Sequence, residues 1–162
     1  MKNTLIKMGI PLLSVIFVAI FPSIFLYGNN SNEASIQDVL FPMLLFVAVA
    51  LVLFVIFIIV SRNPYKSGIV TIIFMLVLEN FAALEGILLL IFPNLYYWHT
   101  TAIFLFILLH VAFIIYKFLP QDLAKTISSV LCLVFSGLVV VNGLVAIPGE
   151  INKINAKKRL IS

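Results

Sequence analysis

Five strongly polar residues, Glu79, Asn80, Glu85, His110 and Asn142, interrupt otherwise apolar stretches of this chain. Acids and imidazoles are expensive in such surroundings, and inside a membrane they often handle protons or ions. The alternative is structural: an amide, or an acid that stays protonated, can hydrogen-bond a neighbouring helix. Glu79 and Glu85 stand roughly 120° apart around a helix, so they do not share a face and do not form a two-carboxylate site. No nucleophile–base pair accompanies them. His99 follows Tyr97 and Trp98, as an interfacial residue would, and has no second His, Cys or acid at ligand spacing. No catalytic residue, metal ligand or cofactor motif is therefore expected.

The elements that carry these residues follow from composition. Of 162 residues, 64% are hydrophobic and 10% charged, and the mean hydropathy is +1.25. A soluble domain is about 45–50% apolar and roughly 25% charged, so the natural solvent for this chain is a lipid bilayer. The expected fold class is all-α, a polytopic transmembrane helix bundle of about five spans. They run approximately over Thr4–Tyr27, Val39–Ser61, Gly68–Phe92, Thr100–Leu119 and Thr126–Ile147. Each is long enough for a hydrocarbon layer of about 30 Å, and none alternates in polarity as a barrel strand would. A helical domain over 1–147 would precede a basic tail over 148–162, read as a solvated linker in preference to a helix lying on anionic headgroups.

Short connectors carry turn chemistry: Gly28-Asn29-Asn30-Ser31-Asn32, Arg62-Asn63-Pro64, Pro93-Asn94 and Pro120-Gln121-Asp122, the last suited to open a helix. All five Tyr and the one Trp fall at or beside expected helix ends, where amphipathic rings favour the interface. The N-terminal run, preceded by Lys2 and Lys7, is longer than a signal-peptide core and is read as a retained helix kinked at Pro11 and Pro22. Cys132, the single cysteine, reads as a small apolar residue. Asn29-Asn30-Ser31 matches a glycosylation sequon, a weak three-residue pattern.

Five spans place Lys2, Lys7, Arg62, Lys66, Lys117 and Lys125 on one side, which the positive-inside rule makes cytoplasmic, so the topology is N-in/C-out. Lys153, Lys157, Lys158 and Arg159 dissent by lying outside. Losing the third span would reverse them, but its sixteen Leu, Ile, Val and Phe residues contribute roughly −5 to −10 kcal/mol against about +2.5 to +3.5 for a central acid. At about 1.5 Å per residue, Glu79 and His110 then sit about 15 and 12 Å from the cytoplasmic side, and Glu85 and Asn142 both near 23 Å. Two matched levels are expected.

At Pro11–Tyr27, Asn29-Asn30, Asp38 and Tyr65-Lys66 the chain resembles the N-terminal membrane region of bacterial sulfatase-like membrane proteins of the alkaline-phosphatase superfamily. Ile147-Pro148-Gly149-Glu150-Ile151 and the basic tail resemble their juncture with an outside catalytic domain. The resemblance implies a cell-membrane anchor in a cell-surface polysaccharide pathway. That family's metal-binding, nucleophile-bearing domain follows the membrane region and is not among the residues up to Ser162. No catalytic residue is carried over, and the expectation is a non-enzymatic, free-standing or truncated anchor module. Its partners would be the lipid bilayer and a membrane or extracytoplasmic protein, not nucleic acid. The competing expectation is a small ion- or proton-coupled transporter or channel subunit using Glu79, Glu85 and His110.

Overall fold

The computed structural model describes residues 2–31 and 33–161, with side chains for 8–31 and 33–155. The side chains of Lys2, Lys7, Lys157, Lys158 and Arg159, and the turn residue Asn32, lie outside the described residues. Those described form six helices and no strand: α1 (Lys2–Asn29), α2 (Ile36–Ser61), α3 (Pro64–Glu79), α4 (Phe81–Ile91), α5 (Tyr97–Phe118) and α6 (Gln121–Ile161). Four of them, α1, α2, α5 and α6, are each long and apolar enough to cross a membrane, and the bent pair α3–α4 brings the number to five if it is one broken span rather than a re-entrant loop. The chain is an all-α bundle of multi-pass membrane type.

Its surface and interior are distributed as lipid requires. Phe41, Leu90, Trp98 and Leu133 are each at least 75% exposed, whereas Ser14, Ser67, Thr71 and Thr100 are fully buried. Small and hydroxylated residues let helices approach closely where lipid offers no hydrophobic drive for association. The apolar core lies between α1, α2, α3 and α6, around Val15, Val18, Phe54, Ile72, Met75 and Phe135.

Local sequence sets most helix ends. Ser35 and Asp38 form a capping box at the start of α2, each side chain taking a backbone N–H of the other residue. Arg62 ends α2 in the left-handed region, at φ 52°. Asn63 caps α3 by accepting from the N–H groups of Tyr65 and Lys66, with Pro64 at the first helical position. At the same end of the bundle the Asn63 amide donates to Gln121 at the start of α6, and the Lys66 ammonium donates to the Tyr116 carbonyl of α5 at 2.9 Å.

Two elements depart from the expected pattern. The third span is not one helix over Gly68–Phe92: it breaks at Asn80, and α3 and α4 meet at 68°. Asn80 is a poor helix former whose amide donates to the Leu76 carbonyl, competing with the backbone for it. Across the break, Phe81 packs edge-on against Tyr97 and Phe104 of α5, drawing α4 towards that helix.

The segment after Ile147 is not a linker. The 41-residue α6 passes through Pro148 and remains helical to Ile161, although proline removes one backbone donor there. Compensating contacts lie in the next turn. Gly149 seats against Ser31, Glu150 accepts from the Tyr27 hydroxyl, and Lys153 donates to the Ala34 carbonyl and to Glu150. The sequon straddles the end of α1: Ser31 is buried in this corner, whereas Asn29 is exposed, its amide donating to the Phe25 carbonyl of the same helix. Tyr27 is buried there too, its ring under the Lys153 ammonium. α1 continues through both of its prolines.

Candidate functional site at the helix break

Glu79 is the last residue of α3 and Asn80 the break itself. Counted from the helix start at Pro64, four residues before the expected Gly68, Glu79 lies about 23 Å from that end. Its Oε1 is buried and has no hydrogen-bond partner among the described residues. With Asn80 it lines a cavity of about 330 Å³ between α1 and α3, whose other walls are Phe21, Pro22, Phe25, Leu26 and Leu76. The Asn80 amide nitrogen is engaged by Leu76.

The expected pairings do not form. His110 lies about 12 Å from the end of α5 at Phe118, so its depth no longer matches that of Glu79. Its ring is exposed and stacks on Phe106 of the same helix, 6.2 Å between centroids. Glu85 does not meet Asn142. It accepts a hydrogen bond from Thr100 Oγ1 at 3.0 Å, tying α4 to α5. The Asn142 amide donates to the Leu138 carbonyl of its own helix, and its own carbonyl oxygen faces Gly28 on α1. Asn142 thus belongs to the α1–α6 seam and Glu85 to the α4–α5 hairpin, while Glu79 and Asn80 open on a cavity.

His99 tilts against Tyr96 at 5.8 Å, and Cys132 is partly buried. Among the described residues, no three His, Cys, Asp or Glu side chains converge as metal ligands would.

Sequence reasoning missed Thr100, which is wholly buried and whose one hydroxyl proton is shared between Glu85 at 3.0 Å and the Tyr97 carbonyl at 2.7 Å. It also missed the Tyr27–Glu150–Lys153 corner. Glu150 and Lys153 at i,i+3 were the available signal, but their partners on α1 and the following loop are over a hundred residues away. A second cavity, of about 320 Å³ between α2, α3 and α5, is lined by apolar side chains and Thr101. No family model, curated protein or solved structure matches this chain.

Proposed function

We propose that this bundle is a non-catalytic membrane module with a cytoplasmic N-terminus, and that α6 leaves the membrane on the outer side to carry or dock a cell-envelope glycan-related protein. One observation carries the reading. At about 1.5 Å per residue, α6 is roughly 60 Å long, twice the hydrocarbon thickness. Its far portion is fixed to the bundle by Gly149, Glu150 and Lys153. A helix held in this way is a stiff mount rather than a flexible tether. The resemblance to sulfatase-like membrane regions agrees with such a mount.

Reporters fused after Lys125 and after Ser162 test it, with cytoplasmic and external signals expected respectively. A cytoplasmic signal from the second fusion overturns the topology and the mount together. A photo-crosslinking residue at Ile154, exposed on the extension, is expected to label an envelope protein in the native cell. Labelling of lipid alone refutes docking.

A transporter or channel subunit has one observation in its favour, the unpartnered Glu79 oxygen at a broken helix. Against it, His110 faces away and Glu85 is engaged by Thr100. Proton or ion flux in vesicles that disappears in a normally assembled E79Q/E85Q variant would select this second reading.

A further inference from the structure

We propose that the cavity between α1 and α3 at the helix break binds an organic ammonium group borne on a membrane amphiphile, with Glu79 as counter-ion and Phe21 and Phe25 as aromatic walls. The inference is independent of the anchor reading. It starts from an acid whose inner oxygen has no partner. The two ion pairs among the described residues, Lys125–Asp122 and Lys153–Glu150, leave Glu79 without a counter-charge. Glu79 also closes the C-terminus of α3, where the helix dipole adds negative potential. Both features select a cation.

The walls select its kind. A divalent metal ion needs six or more oxygens for calcium, or near-ideal octahedral geometry for magnesium. This cavity offers one carboxylate and one amide, and the amide nitrogen is already engaged. What surrounds them is Phe21, Pro22, Phe25, Leu26 and Leu76. The Phe21 and Phe25 rings stand 5.8 Å apart at 43°, and aromatic faces attract alkylammonium groups. A volume of about 330 Å³ is at the lower end of small-molecule sites, enough for an ammonium head and its first methylenes.

Position selects the carrier. Phe21–Leu26 lie in the last turns of α1 before Asn29, roughly 5–12 Å inside the helix end. Phe25, Leu26 and Leu76 are themselves exposed, so the cavity opens on the surface that faces lipid. A head group can enter at that depth while its chain stays in hydrocarbon.

The test uses the full chain in maltoside micelles, which carry no ammonium, with radiolabelled dodecyltrimethylammonium as probe. The wild type is expected to bind it saturably, and E79Q, of equal yield and thermal stability, about tenfold more weakly or less, the scale of one charge-assisted contact. Competition with the wild type alone supplies a second readout that does not depend on any variant folding. Unlabelled probe is expected to compete, and dodecanol and tetramethylammonium only at far higher concentration. Non-saturable binding, an unchanged E79Q, or equal competition by dodecanol each overturns the proposal. Equal competition by tetramethylammonium overturns the amphiphile and makes the ligand a free amine.

Discussion

Gly149 and Gly143 lie on the same helix, and the structure separates them sharply as sites for alanine. A Cβ added at Gly143 would meet nothing within 4 Å, whereas one at Gly149 would stand 2.7 Å from Ser31 Cβ and 2.9 Å from the Ser31 backbone carbon. Alanine is intrinsically better than glycine in a helix by about 0.5–1 kcal/mol, so G143A is expected to stabilise by that amount. G149A carries the same gain minus an overpacking cost of about 1–3 kcal/mol, because backbone atoms cannot give way as a flexible side-chain tip can. The two variants are therefore expected to differ by about 1–3 kcal/mol, with G149A the weaker. Reversible unfolding in mixed micelles, followed by circular dichroism, reads the difference. S31A in the G149A background is expected to recover little, since it removes only the hydroxyl and leaves the Ser31 Cβ and backbone in place. Equal stabilities for G143A and G149A would refute close seating of α6 on the α1–α2 loop, and with it the rigid mount.

Other substitutions probe separate joints. N63A removes the α3 cap and the bond to Gln121 and is expected to cost about 1–2 kcal/mol, while N63D keeps the cap acceptor and should lose under about 1 kcal/mol in the same unfolding measurement. T100V deletes the donor to Glu85 and should loosen α5 by about 1–2 kcal/mol; E85Q retains an acceptor oxygen and is expected to lose less than half of that. Amide exchange in α5 distinguishes the two. R62G relieves a left-handed backbone and is expected to raise stability by about 0.5–1 kcal/mol, read as a higher unfolding midpoint.

The spans were legible because hydropathy over some twenty residues is a sum, and no competing signal is strong enough to hide it. Cap chemistry was legible for the same local reason at Gln121-Asp122, which opens α6 where it stands, whereas Asn63-Pro64, read as a connector, caps and opens α3 four residues before the expected start. The break at Asn80 was not, because a window that counts sixteen apolar residues ignores one backbone torsion, at φ −109° and ψ 14°. The faces of His110 and Glu79 were hidden by the apolarity itself: when nearly every position is hydrophobic, no 3.6-residue stripe marks the inward side. Helix starts shifted by four residues, as at Pro64, were enough to create a depth match that the structure removes. The continuation of α6 past Pro148 depends on Tyr27, Ser31 and Ala34, which no local pattern connects to Glu150 and Lys153.

The seam between α1 and α6 also governs the order in which the bundle is assembled. The Ser14 hydroxyl reaches the Ser128 carbonyl, the Asn142 backbone carbonyl fills the space that a side chain at Gly28 would need, and Tyr27 meets Glu150. During synthesis the first helix enters the membrane long before its principal neighbour exists. Until then the Ser14 hydroxyl has the Ile10 carbonyl of its own helix as an acceptor, while Tyr27 has no Glu150 to meet. α2 and α3 can pack against α1 as they emerge, but closure of the bundle waits for residues 128–150 to be translated and inserted. Arrest of translation before that point would leave an open bundle of α1–α5 whose α1 face for α6 is vacant, the species a membrane chaperone or quality-control protease would encounter.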